Sequence, residues 1–324
     1  MQYSLSEQPR TVLHIGPPKT GTTTLQEQVF PELRSTCFLG KRWWNPAVPY
    51  DKCVALHRAI DSVTKADRAS YDHEAVAAAL REWLAHAPAA TPRTDGSLLP
   101  RLLSEERLTF SDVVSHEEIA ARLARLFPGA EIVYVRRDPI SGLRSFHRWL
   151  YARAWTDSSF SEWLARGMAG HEENYAAVAL RSYDWALIEQ TFGAHFAIVR
   201  SLDFYDMIAD PPAYLAQLLG YEHAEFAGFA WLKDRPLNVS RGRSASELHR
   251  AAKKAIRLWN KLPSGKIDEK PEYLGDTPWW HWLEHLASLL PLSEAPLVAS
   301  EADRSRIRAY YAQQGDRRVP DYEI

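Results

Sequence analysis

Residues Val12 to Gln26 read Val-Leu-His-Ile-Gly-Pro-Pro-Lys-Thr-Gly-Thr-Thr-Thr-Leu-Gln, the pattern of a short apolar strand, a tight turn and a helix start. A helix N-terminus leaves backbone N–H groups without partners and carries a positive partial charge, so a phosphate-like dianion satisfies both. Gly16 and Gly21 permit close backbone approach to such a group. The one cation of the turn, Lys19, can reach a bridging or leaving oxygen.

The separation of Gly16 and Gly21 is that of the nucleotide-triphosphate loop, in which Lys and then Ser or Thr follow the second glycine. Here Thr22 takes the lysine position, and the hydroxyl that would hold Mg²⁺ loses its usual neighbour. The loop reads as built for metal-free chemistry on an anhydride. A second anion site is expected at Tyr134-Val-Arg-Arg-Asp-Pro-Ile-Ser-Gly-Leu-Arg-Ser. Arg137 ends a strand there, and Ser145 follows eight residues later on the next helix. An arginine fork grips phosphate in two places, and a serine hydroxyl adds another donor. The alternative is a solvated basic face made by Arg136, Arg137, Arg144 and Arg148.

Pro18-Lys19-Thr20-Gly21-Thr22-Thr23 resembles, position by position, the 5′-phosphosulfate loop of sulfotransferases that use 3′-phosphoadenosine 5′-phosphosulfate (PAPS). Arg137 and Ser145 resemble the 3′-phosphate motif of the same family. The segment Ser182–Leu219, with Tyr183-Asp-Trp, and Leu237-Asn-Val-Ser240 also look like bacterial members. The resemblance implies a PAPS-dependent sulfotransferase moving a sulfuryl group to a hydroxyl or amine, with Pro18 to Thr23, Arg137 and Ser145 holding the donor and no metal. Arg241-Gly242-Arg243 is a counterpart of the basic loop that closes over the 3′-phosphate, or equally a solvated loop.

In this reading Lys19 neutralises the leaving oxygen and a base accepts the acceptor's proton. Leu103-Ser104-Glu105-Glu106-Arg107-Leu108 follows a strand and sets two carboxylates at the carboxyl edge of the sheet, where open α/β sheets bind ligands. The Ser-x-Glu pattern of related bacterial enzymes aligns Ser104 and Glu106. Glu106 is the first candidate for the base, against a helix-start glutamate or one paired with Arg107; His14 is the second, against a hydrogen-bonded core histidine. Trp43-Trp44 and Trp279-Trp280-His281-Trp282 offer flat faces for a carbohydrate or small-molecule acceptor, although most tryptophans pack in cores. The rivals are a P-loop kinase-like phosphotransferase and a non-catalytic nucleotide-binding protein of the same fold.

The elements that position these groups alternate strand and helix, which implies an α/β fold: a central parallel sheet flanked by helices, a P-loop-like three-layer sandwich with a helix-rich C-terminal part. Strands are expected at Val12–Gly16, Leu98–Ser104, Ile132–Val135 and His195–Arg200. Helices are expected at about Gly21–Val29, His73–His86, Ser115–Phe127, from Pro139, and at about 160–168, 174–191, 211–219, 244–260, 277–290 and 300–313. Residues 31–70 read as irregular and Pro88–Gly96 as a surface linker. At 324 residues and 46% apolar content, one sulfotransferase domain is expected over 1–324, with an insertion or cap at about 31–97 and a helical region at about 238–324. The net charge of −2 argues against nucleic acid or a polybasic membrane anchor as partner. Cys37 and Cys53, the only two cysteines, fit a reducing cytoplasm. No apolar run suggests a signal or a membrane span. Oligomeric state is not legible.

Overall fold

The computed structural model describes residues 9–39, 48–87, 99–171, 175–234, 247, 251 and 297–313. Its strands are β1 (Thr11–Ile15), β2 (Cys37–Phe38), β3 (Arg101–Ser104), β4 (Glu131–Arg136) and β5 (Val199–Asp203). Its helices are α1 (Thr22–Thr24), α2 (Tyr50–Lys65), α3 (His73–His86), α4 (His116–Leu126), α5 (Pro139–Ala152), α6 (Phe160–Met168), α7 (Ala176–Ser182), α8 (Trp185–Gly193), α9 (Phe204–Ala209), α10 (Pro211–Leu219) and α11 (Glu301–Gln313). Two compact units form: residues 1–137, 181–237 and 314–316, and residues 138–180, 238–313 and 317–324.

The first unit is built on a five-stranded sheet in the order β2-β3-β1-β4-β5, every pair parallel. Side chains alternate across a strand, and two separate apolar clusters result. Leu13, Ile15, Leu103, Ile132 and Tyr134 face α2, α3, α4 and α8 through residues such as Leu56, Trp83, Leu123 and Ile188. Val12, Leu102, Val133, Val135 and Leu202 face the other way, against Leu25, Val29, Phe30, Met207 and Leu215. The sheet is therefore covered on both faces, as the strand–helix alternation implies: an α/β three-layer sandwich. At the amino edge, Glu131 Oε2 accepts from Arg10 Nη2 at 2.5 Å and Arg200 Nη2 at 3.1 Å. The two guanidiniums also donate to the last carbonyls of α10, at Gln217, Leu218 and Leu219. Those carbonyls have no intrahelical partner, so this clamp ties α10 to the sheet.

The second unit is helical. Phe146, Leu150, Phe160, Trp163, Leu164, Ile307 and Tyr311 are buried, Ser159 and Glu162 make a capping box at the start of α6, and Tyr311 donates to the Leu180 carbonyl at 2.9 Å. A surface pocket of about 450 Å³ is lined by Ala154 to Ser158, Glu162 and Arg166.

Three expectations are corrected. Residues 31–70 are not irregular: they contain β2 and the sixteen-residue α2. Pro49 precedes that helix rather than breaking it. The helix expected over 174–191 is interrupted, because Asp184 caps a new one by accepting from Leu187 N at 3.0 Å. The last strand begins at Val199, not His195; the amides of His195 and Phe196 still bond back to the Phe192 carbonyl, and Phe196 packs into the core. Trp43, Trp44, the linker at 88–96, Leu237–Ser240, Arg241–Arg243, the Trp279 cluster and most of the segments 244–260 and 277–290 lie outside the described residues. Among the described residues no helix is long and apolar enough to cross a membrane.

Candidate functional site

The connection leaving β1 runs toward β2 and that leaving β4 runs toward β5, so the strand order reverses between β1 and β4. Open α/β sheets bind ligands outside the carboxyl ends of strands at such a point. The Gly16–Gly21 turn follows β1 there, and Arg137 follows β4. Gly16 is small because β4 is close; a Cβ there would lie 3.2 Å from Val135 Cβ.

The turn is unusual in two respects. Lys19 has φ of +71° and Gly21 of +73°, so left-handed residues flank Thr20 and gather successive amides in the manner of an anion-binding nest. In addition, four consecutive carbonyls are each held by a side chain. Thr109 donates to Gly16 at 2.7 Å, Thr20 to Pro17 at 2.8 Å, Tyr183 to Pro18, and Arg137 to Lys19. A trans peptide points its N–H opposite to its C=O, and none of the described peptides is cis. Anchoring the carbonyls of Pro18 and Lys19 therefore turns the amides of Lys19 and Thr20 to the other side. The amides of Thr22 and Thr23 open α1 and have no intrahelical acceptor.

Arg137 is half-buried. Besides its bond to the Lys19 carbonyl, its guanidinium lies over Phe204 with 4.6 Å to the ring centroid. Ser145 sits on α5 in the second unit, half-buried. Asp138, between the two in sequence, caps α5 by accepting from Ile140 and Ser141 amides at 3.3 and 2.7 Å.

The adjacent carboxylates after β3 have different surroundings. Glu105 accepts from the Arg107 amide and guanidinium, each at 3.1 Å, and Arg107 also pairs with Asp61. Glu106 instead accepts from the Thr22 hydroxyl at 2.9 Å, at the first residue of α1. The glutamate bonded to the Arg107 side chain is Glu105; Glu106 is the first residue of a 3₁₀ turn, Glu106–Thr109, and meets the start of α1.

His14 is fully buried, Nδ1 is 2.7 Å from Ser104 Oγ, and its ring meets Phe30 edge-on. Burial lowers its pKa to about 3, the surroundings of the hydrogen-bonded core histidine that is the alternative to a base. Ser104 also accepts from Gln26 Nε2 at 3.0 Å, which ties β3 to the helical stretch after the loop. Thr109 and Tyr183 were not legible as loop anchors. The available signal was that a buried tyrosine hydroxyl requires a partner.

With this geometry in place, comparison gives the class. The model of the Sulfotransferase family matches residues 11–228, about two thirds of the chain, and the chain belongs to that family. No match is found among curated proteins. Three solved structures are similar to it. The sulfotransferase domain from the curacin biosynthetic pathway covers 87% of this chain and 99% of its own, at 16% identity and a TM-score of 0.36. The sulfotransferase from Alicyclobacillus acidocaldarius covers 85% and 99%, at 16% and 0.37. The sulfotransferase domain from the Synechococcus PCC 7002 olefin synthase covers 96% and 98%, at 14% and 0.35. No residue role is carried across from them.

Proposed function

We propose that this chain is a PAPS-dependent sulfotransferase that moves a sulfuryl group to a hydroxyl or amine of a carbohydrate or other small acceptor, without a metal. The observation that carries the reading is the Gly16–Gly21 turn, whose four carbonyls are tied back by side chains so that the amides of Lys19 and Thr20 turn to the other side, next to the opening amides of α1. Those features fit a phosphosulfate: an amide-rich concavity suits fixed negative charge, and a close glycine leaves room for it. Pro18, Lys19, Thr20, Gly21, Thr22 and Thr23 would hold the 5′ end. Assignment of Arg137 and Ser145, with Arg241 and Gly242, to the 3′-phosphate rests on the sequence motifs alone.

The donor supplies an electrophilic sulfuryl group on a phosphate anhydride. Lys19 provides a positive charge for the bridging oxygen, where negative charge accumulates in loose in-line transfers. A unit charge about 4 Å away is worth about 4 kcal/mol at an effective dielectric near 20. Glu106, half-buried beside the loop, takes the proton from the acceptor oxygen or nitrogen. Metal independence rests on Thr22 standing where a phosphate-loop lysine would, with its hydroxyl directed to Glu106. We read 1–324 as one sulfotransferase domain with an insertion at about 31–97, and a cytoplasmic location from two buried free cysteines.

The test is transfer of labelled sulfate from PAPS to a panel of hydroxylated acceptors in the presence of a chelator. Thermal stabilisation should be given by adenosine 3′,5′-bisphosphate and not by ATP–Mg²⁺. The reverse preference would replace this reading with a phosphotransferase.

A further inference from the structure

We propose that Tyr183 is a positioning residue of this site: its phenol fixes the Pro18–Lys19 peptide so that the Lys19 amide faces the bound anion. The inference rests on the reading of the loop as the donor's seat. Tyr183 is fully buried, and its hydroxyl donates to the Pro18 carbonyl.

The phenol is itself held from both sides in sequence. The Ser182 carbonyl accepts from Tyr134 of β4 at 2.9 Å, and Asp184 starts α8 by accepting from Leu187 N. The hydroxyl is thus delivered by a turn bound to the central sheet and to a packed helix. No step of the proposed transfer uses it, and its aromatic ring alone would fill the same volume.

The four loop anchors are not equivalent. The carbonyls of Gly16 and Pro17 belong to peptides whose nitrogen is that of Pro17 or Pro18, which carries no hydrogen. Anchoring them by Thr109 and Thr20 holds the chain path and aims no donor. The next two carbonyls, of Pro18 and Lys19, belong to peptides that contribute the N–H groups of Lys19 and Thr20. Tyr183 and Arg137 therefore decide which way two donors point. Lys19 sits at φ +71°, a region unfavourable for a residue with a Cβ. Rotation of the Pro18–Lys19 peptide would relieve that conformation and turn the amide away. The phenol opposes the rotation.

Two phenol deletions separate aiming of the loop from the general cost of losing a buried hydrogen bond. Tyr183→Phe removes the bond to the Pro18 carbonyl, and Tyr311→Phe removes a buried bond of the same kind to the Leu180 carbonyl, which is not part of the loop. Affinity for adenosine 3′,5′-bisphosphate is measured by calorimetry, kcat and acceptor KM at saturating donor, and Tm by circular dichroism. Tyr183→Phe should weaken the bisphosphate about tenfold and lower kcat about tenfold or more, with acceptor KM within about twofold. Tyr311→Phe should change affinity and kcat by less than about twofold even where it lowers Tm. 3-Fluorotyrosine at position 183, which keeps the donor, should restore the wild-type values. A Tyr183→Phe enzyme with unchanged affinity and kcat overturns the inference, and so does a Tyr311→Phe loss equal to that of Tyr183→Phe. Wild-type protein that neither binds the bisphosphate nor transfers sulfate overturns the proposed function first, and this inference with it.

Discussion

Lys19 combines the chemical task proposed for it with a backbone conformation that its side chain disfavours, and the two can be separated by comparing Lys19→Gly with Lys19→Ala. With φ at +71°, a residue bearing a Cβ costs roughly 1–2 kcal/mol relative to the right-handed region. Glycine removes that cost and adds about 0.4–1 kcal/mol of unfolded-chain entropy. The Gly variant should therefore be more stable than the Ala variant by up to about 1.6 kcal/mol, the reverse of the order at ordinary positions, where Ala leads by about 0.5–1 kcal/mol. Both variants lose the ammonium, so both should lose about 10²–10³ in turnover, the range for removal of one preorganised donor. Urea unfolding followed by tryptophan fluorescence gives the stability order, and single-turnover transfer from PAPS gives the chemistry. An Ala variant more stable than the Gly variant would refute the strain. Near-wild-type turnover in either would refute the charge at the leaving oxygen.

Glu106→Gln should lower kcat by about 10²–10⁴ and remove the acidic limb of the pH–rate profile, whereas Glu105→Gln, which loosens the Arg107 pairing, should leave that limb in place. Gly21→Ala places a Cβ at φ +73°, 2.4 Å from Met207 Cε and 3.1 Å from Phe204 Cε2; a loss of about 1–2 kcal/mol from the backbone alone is expected in urea unfolding. His14 is neutral in the folded chain because burial lowers its pKa from 6.5 to about 3, while the unfolded chain binds a proton below 6.5. Its contribution is therefore complete above pH 6.5 and declines as pH falls toward 3. Tm should drop less between pH 7 and 5 in His14→Gln than in wild type, with His147 and His116, also lowered by burial, carrying the remaining histidine sensitivity; an equal drop would show that His14 charges without cost.

The central strands were legible because β1 and β4 are buried on both faces and read as continuous apolar runs. Edge strand β5, Val-Arg-Ser-Leu-Asp, has only Leu202 buried, so its pattern is weaker than the Phe196-Ala-Ile-Val run beside it. Helix α2 does carry helical spacing in Cys53, Leu56, Ile60 and Val63, all buried. The prolines before it outweighed that signal, although proline is well suited to a helix start. At the site, local features were legible: the glycines, Lys19 and the helix start lie within a few residues. Glu105 and Glu106 could not be told apart, since only the fold decides which of two neighbours meets Arg107 and which meets Thr22. Tyr183 was invisible as an anchor for the same reason: its partner, Pro18, is brought to it by the sheet and not by sequence.

The overall charge of −2 gives no hint of an anion site, and screening explains why it need not. At about 0.15 M salt the Debye length is about 8 Å, so the field at the loop is set by groups in or beside it. Glu105 and Asp61 are matched by Arg107, and Asp61 also by Lys65 at 2.8 Å, which takes those carboxylates out of the local balance. Among the described residues, the groups beside the loop include Lys19, the Arg137 guanidinium on the Lys19 carbonyl, the opening amides of α1, and the Glu106 carboxylate against Thr22. Positive character beside a carboxylate is the arrangement that the proposed sulfuryl transfer to a hydroxyl requires. The ion pair that neutralises Glu105 is accordingly as much a part of the site's chemistry as the residues that touch the reactants.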